Sequence, residues 1–317
     1  MSAKTIISSQ KSIREKNYKN ISVLKPKECI FCKSKEIIKW GFRFNHTTKK
    51  QRWKCNSCNK LFTVDDGFFH LHKKRELLTT CLDLYMNGMS LRKIRNHIRQ
   101  FTEQGISHMQ VWRWLIRYST TLTDYTRNLE PELSKIYHAD EIFIKCRKEQ
   151  HYFFDMIDKE TRFLVSSYYS TKRDSKSAKI LFIRAKHKPL TLFTDSLQAY
   201  RKAYRKVWGS KTRREDKETY IRLKANKDKR NNIVERIQGT IRERIKVIRG
   251  FKNKESAESM LNLFLVWYNF IRVHQGINMT PAQKANINLA LNQNKWLDLI
   301  YLSKAFKVQD IRGENNE

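Results

Sequence analysis

In LTLFTDSLQAYRKAY (190–204) a short apolar run containing Leu190, Leu192 and Phe193 leads to Asp195, and a helical pattern begins at once. Short apolar runs bounded by turn-forming residues read as buried strands. A carboxylate at the end of such a strand has two readings. Asp195 or Ser196 caps the helix that follows, or Asp195 is one of several carboxylates that the fold gathers in one place.

The neighbouring segments supply the other carboxylates. KIYHADEIFIKC, HYFFDMID and RFLVSSYYS read as three successive strands joined by short polar turns. SKSAKILFIRAK reads as a helix, LTLFTD as the fourth strand and SLQAYRKAYRKVW as a second helix. A basic, weakly patterned stretch (209–230) precedes two more helices, NNIVERIQGTIRERIKVIRGFKN and ESAESMLNLFLVWYNFIRV. This order predicts a mixed α/β domain.

Asp140 falls within the first strand, Asp195 at the end of the fourth and Glu235 on the helix after the basic stretch. Three hard oxygen ligands suit Mg²⁺ (or Mn²⁺). Two such ions roughly 4 Å apart serve phosphoryl transfer by activating one oxygen and stabilising another. Adjacent strand residues face opposite sides, so only one of Asp140 and Glu141 is expected to face such a site.

On the Glu235 helix, Ile233, Ile237, Ile241, Ile245 and Ile248 form one expected inner stripe. Glu235, Arg242, Lys246 and Arg249 share another face, within about 60° of one another. That favours Glu235 over Glu243, and over Glu215, Asp216 and Glu218 in the irregular stretch. The plainer alternative is a surface ion pair between Glu235 and Arg236 or Arg242, contributing under about 1 kcal/mol.

Towards the N-terminus, Cys29, Cys32, Cys55 and Cys58 are spaced C-x2-C-x22-C-x2-C, with hairpin-like strands IIKWGFRF and QRWKC between the pairs. Each pair places two thiolates on one tight turn, and two turns complete a tetrahedral site for one structural Zn²⁺. His46, His70 and His72 are less favoured substitutes, and Cys81 and Cys146 lie on apolar periodic segments that read as core.

Residues 73–122 read as three helices, with Gly88 ending the first and Ser90 and Ser107 capping the next two. The breaks suggest a helix-turn-helix unit. Val111, Leu115, Tyr118 and Leu122 form the inner stripe of the third helix. Gln110, Arg113 and Arg117 then point outward, where a recognition helix contacts DNA. A plain helical linker with solvated charges is the alternative.

The 317 residues carry 65 Lys/Arg against 31 Asp/Glu, a net charge of +34. Residues 201–254 hold 20 Lys/Arg against 6 Asp/Glu, and residues 1–60 hold 16 against 3. Basic charge concentrated in this way predicts an anionic polymer, nucleic acid above all. MLNLFLVWYNFI (260–271) is too short to span a bilayer, and the N-terminus has no apolar signal region. The expectation is a soluble, cytoplasmic, nucleoid-associated protein with no membrane partner. Tyr268, in an apolar helix, reads as core rather than as a nucleophile.

YHADEIFIK, LFTDSLQAY, NNIVERIQGTIRERIKVIRGFKN and YNFIRVHQGINMTPAQKA together resemble the DDE transposases of bacterial and archaeal insertion sequences over roughly residues 70–285. The resemblance implies a catalytic core similar to retroviral integrases and ribonuclease H. It makes Asp140, Asp195 and Glu235 the carboxylate triad and Arg242 the basic residue that follows. The gap of 39 residues between Asp195 and Glu235 exceeds the commonest family gap in the mid-thirties, and the basic stretch holds the excess.

The organisation this implies is a basic arm (1–26), a zinc ribbon (27–68), a helix-turn-helix domain (69–128), a ribonuclease H-like core (132–285) and a C-terminal helix and tail (286–317). The implied activity is DNA cleavage and strand transfer on the element's terminal inverted repeats and on target DNA, by a homo-oligomer that is at least a dimer. The competing reading is a DNA-binding regulator with an inactive core. A nuclease of the same fold that cuts without joining fits the separate DNA-binding modules less well.

Overall fold

The protein is described by a computed structural model covering residues 26, 28–44, 49–68, 71, 73–103, 105–209, 219–223 and 232–310. The basic arm, His46, His70, His72, most of the 209–230 stretch and the tail lie outside these residues. Two compact units divide the chain, residues 1–79 with 297–317, and residues 80–296. Residues 297–317 group with the ribbon, and residues 80–128 group with the five-stranded domain.

In the first unit, strands β1 (Ile37–Phe44), β2 (Lys49–Cys55) and β3 (Leu61–Thr63) form an antiparallel sheet in that order. One face buries Trp53 and Phe62 against Cys29 and Cys55. A bulge interrupts β1 between Lys39 and Phe42, where Gly41 takes φ +65°. Asp66 receives Arg75 and Lys50, and the Phe68 ring meets Tyr301 at 5.4 Å, which fixes the C-terminal helix here.

Helix α1 (Arg75–Met86) crosses the boundary between the units, and α2 (Leu91–Phe101) and α3 (His108–Arg127) follow. Ser90 and Ser107 cap α2 and α3 by accepting from the backbone N–H of Lys93 and Gln110. Val111, Leu115, Tyr118 and Leu122 are buried, and Trp114 joins them. The α3 helix runs along α7 (Lys254–Val266), and Ser119 Oγ donates to the Ser259 carbonyl at 2.6 Å. That packing places the helical segment in the second unit.

The second unit centres on a five-stranded sheet of β4 (Ile136–Cys146), β5 (Glu149–Asp158), β6 (Leu164–Ser170), β7 (Thr191–Thr194) and β8 (Tyr220–Arg222), ordered β6-β5-β4-β7-β8. The β6-β5-β4 meander is antiparallel, and β7 and β8 run parallel to β4. This is the ribonuclease H-like mixed sheet. β8 falls inside the basic stretch that reads as irregular. It is three residues long and only half-buried at the sheet edge, too short for a periodic signal.

Helices α4 (Ser175–Arg184) and α5 (Gln198–Val207) cover one face. Phe182, Tyr200 and Tyr204 pack there on Tyr137, Ala139, Phe154, Met156 and Leu192. Helices α6 (Asn232–Ile248) and α7 lie on the other face, α7 leading into a π-helical turn at Trp267–Ile271 and the short α8 (Pro281–Lys284). The last helix, α9 (Lys295–Asp310), crosses back to the first unit. Cys81, Cys146 and Tyr268 are buried, as expected.

The α6 stripe departs from expectation. Ile237 and Ile241 are buried, but Ile233, Ile245 and Ile248 are half-buried. Val234, Gln238 and Arg244 complete the inner face. Polar residues turn inward because each meets a matching neighbour: Gln238 approaches buried carboxylates, and the Arg244 guanidinium lies 3.6 Å from the Tyr85 ring centre. Among the described residues no helix is long and apolar enough to cross a membrane.

Candidate active site

The site forms where β7 stops. Pairing of β7 with β4 ends at Ala139 and Thr194, so the next residues, Asp140 and Asp195, lie side by side. The His138 and Phe193 rings stack across the same pair at 4.7 Å and hold the register. Asp195 Oδ1 then accepts from the backbone N–H of Leu197 at 2.9 Å, which turns the chain into α5. Asp195 therefore shapes this turn as well as lying beside Asp140. Ser196 instead donates to the Leu223 carbonyl.

Oxygens of Asp140, Glu141 and Asp195 all lie within 4.8 Å of one another. Strand alternation does hold: Asp140 shares its face with Asp155 and α6, and Glu141 points towards Tyr200 on α5. The expectation that only one of the two reaches the site is corrected, because no strand continues beside Asp140 beyond Thr194. Both sheet faces open to the same edge there.

The three carboxylates are not equivalent. Glu141 is buried and held by its neighbours, with Arg173 Nε donating to Oε1 at 2.6 Å and Tyr200 Oη to Oε2 at 2.6 Å. Asp140 is half-buried, and Oδ1 accepts from the N–H of Glu141 at 2.8 Å. Burial pushes its carboxyl up to about 7; the Glu141 N–H opposes this, and the charges of Glu141 and Asp195 add to the rise. Arg173 also comes within 3.8 Å of Asp195. Carboxylates crowded into a partly desolvated edge suit a hard divalent cation, which replaces their repulsion with attraction.

Asp155 lies beneath them, opposite Asp140 in the β4–β5 register and fully buried. Its oxygens have no hydrogen-bond partner, and burial raises its carboxyl well above the ordinary range. Gln238 reaches in from α6 towards Asp140 and Asp155, though its Nε2 completes no bond of ordinary geometry. Arg242 Nη2 donates to Gln238 Oε1 at 3.3 Å. Asp155, Gln238, Arg173 and Tyr200 all escape a reading for strand-end carboxylates. The available signal for Asp155 is an acid between Phe154 and Met156, in a strand with both faces covered.

Glu235 is exposed in the first turn of α6 and does not belong to this oxygen cluster. Arg242, Lys246 and Arg249 are exposed on the same helix and the residue that follows it, and Arg113 and Arg117 are exposed on α3, where Gln110 is half-buried. The four cysteines converge separately, their sulfurs within 4.8 Å of one another. The N–H of Cys58 leads in drawing the Cys55 thiol down to about 6. The Ser34 N–H favours the Cys32 thiolate, but burial and the neighbouring sulfurs outweigh it and drive that thiol up to about 12. Four sulfurs this close become thiolates together only around a cation.

No curated protein sequence matches the chain. Among solved structures, the magnesium-bound catalytic core domain of HTLV-2 integrase in its trimeric form is similar at 17% identity, covering 50% of this chain and 98% of that one, with a TM-score of 0.36. The simian T-cell lymphotropic virus intasome, in complex with the PP2A regulatory subunit B56 gamma, is similar at 13% identity, with 65% and 72% covered and a TM-score of 0.35. The model of a DDE domain matches residues 134–274, which contain Asp140, Asp195 and Glu235. That match lies on the five-stranded mixed sheet, so residues 134–274 form a DDE domain.

Proposed function

We propose that the protein is a DDE transposase that cuts DNA at the terminal inverted repeats of its element and joins the freed ends to target DNA, using Mg²⁺ (or Mn²⁺) held by Asp140, Asp195 and Glu235. The observation that carries the reading is the juxtaposition of Asp140 and Asp195 where β7 leaves β4, inside the matched domain. When bound, two divalent ions activate the attacking oxygen and stabilise the leaving one. Asp140 and Asp195 hold their oxygens on a rigid sheet edge. Arg173 and Tyr200 keep Glu141 turned towards α5. Glu235 lies one turn before Gln238, within about 60° of it around the helix. That position and the family resemblance support it as the third ligand.

In the first step water attacks the phosphorus at the element's end and the bond to the 3′ oxygen breaks, leaving a 3′-hydroxyl. In the second, that hydroxyl oxygen attacks a target phosphodiester, its proton is lost, and the target's own 3′ oxygen leaves. Exposed Arg242, Lys246 and Arg249 contact the DNA backbone, and Gln110, Arg113 and Arg117 contact the element's ends. Cys29, Cys32, Cys55 and Cys58 hold one structural Zn²⁺. Action on DNA as a homo-oligomer is part of the same reading.

The direct test incubates purified protein with a duplex carrying the element's end, a target plasmid and Mg²⁺. Joined product is expected, and it disappears with chelator. Specific duplex binding with no cleavage or joining under any divalent ion would favour a DNA-binding regulator. Glu235→Gln should bind ends and fail to join them; normal joining by that variant would place the third ligand elsewhere.

A further inference from the structure

The three-stranded ribbon sheet has two unlike faces. One buries Trp53 and Phe62 against the cysteines. On the other, Ile38, Lys54 and Leu61 stand in one cross-strand row, since Ile38 pairs with Lys54 and Lys54 with Leu61. Trp40 joins this face, with the Lys54 ammonium 4.6 Å from its ring centre. Ile38 is 41% exposed, Trp40 47% and Leu61 39%. Three large apolar side chains on a small sheet are a costly display unless something binds them.

The charge around this patch identifies the partner. Residues 28–63 contain nine Lys/Arg and two Glu. Protein interfaces deplete lysine at their centre, whereas here a lysine sits on the central tryptophan. Flat aromatic rings interleaved with cations on an open sheet suit unpaired bases, which offer a π face to the ring and a phosphate to the ammonium. Stacked duplex bases offer only their edges.

We propose that the face formed by Ile38, Trp40, Lys54 and Leu61 binds single-stranded DNA, with Trp40 stacking on a base and Lys54 moving from the ring to the adjacent phosphate. The proposal rests on DNA being the substrate of this protein. Its natural ligand is the unpaired strand next to a cut end.

The test uses the full chain and a fluorescent oligothymidine, with no divalent ion added, so its outcome is independent of catalysis. Trp40→Ala should weaken oligothymidine binding by about tenfold, in line with the loss of one stacked base. Trp40→Phe should recover most of it, and Lys54→Gln should flatten the salt dependence. Zinc content and affinity for the duplex end should not change. Unaltered oligothymidine affinity in Trp40→Ala would overturn the proposal. So would an equal loss of duplex binding, or a change of oligomeric state with oligothymidine binding intact, which would make the patch a protein interface.

Discussion

Asp140 and Asp155 face each other across the antiparallel β4–β5 pair, and α6 covers them both. Like charges placed directly opposite on a sheet destabilise it, and burial raises both carboxyls, Asp140 to about 7 and Asp155 well above the ordinary carboxyl range. The folded state therefore holds these protons more tightly than the unfolded chain does. Their contribution to stability is complete below the ordinary carboxyl range near 4 and is lost as pH climbs through about 7. Metal-stripped protein should lose melting temperature over that range. Asp155→Asn should flatten the loss and melt higher than wild type at pH 8, by about 2 °C or more. A pH profile identical to wild type would show that Asp155 is not the source.

Tyr200 and Arg173 hold Glu141 in place, so this carboxylate is a fixture of the core edge as well as a neighbour of Asp140 and Asp195. Tyr200→Phe leaves one Glu141 oxygen without its donor and should cost about 1–3 kcal/mol. Chemical denaturation measures it, and DNA binding should survive. An unchanged midpoint would mean that water replaces the phenol without loss.

The ribbon should depend on its metal. A segment of this size has too little core to fold alone, and thiolate coordination supplies the missing free energy. Purified protein should contain about one zinc per chain. Cys55→Ser should lose that zinc and become protease-sensitive within residues 28–63, while residues 80–296 keep their protection. Full zinc retention would remove Cys55 from the site.

Arg113 and Arg117 are exposed on α3, one turn apart. Replacing either with Ala should weaken binding to the element's end by roughly 1–3 kcal/mol if it reads a base. Anisotropy titrations at matched salt decide this. A loss equal on specific and random duplexes would mark a phosphate contact, and no loss would remove the helix from end recognition.

The mixed sheet was legible because its strands are long or strongly apolar, and because DE in YHADEIFIK and TD in LFTDSLQAY mark where the pairing of β4 with β7 ends. The four cysteines were legible from spacing alone. β8 was not, because three residues in a basic stretch, none of them buried, carry no period. The ties of Glu141 to Arg173 and Tyr200 span 32 and 59 residues, and no local pattern encodes such pairings. The α6 face misled because its isoleucines outnumber the polar residues that turn inward, and the partners of those residues, Asp155 and Tyr85, lie far away in the chain. The helical segment was legible as helices but not as part of the larger unit, since a periodic stripe says that a face is buried without naming what buries it.

Asp140 and Asp195 are proposed to hold together the ions that drive strand transfer. The most direct measurement is Mg²⁺-dependent joining by Asp195→Asn, at protein concentrations that saturate the DNA end. End binding should stay close to wild type with no joined product, and Asp140→Asn should behave the same way. Joining by Asp195→Asn at the wild-type rate would contradict the proposal.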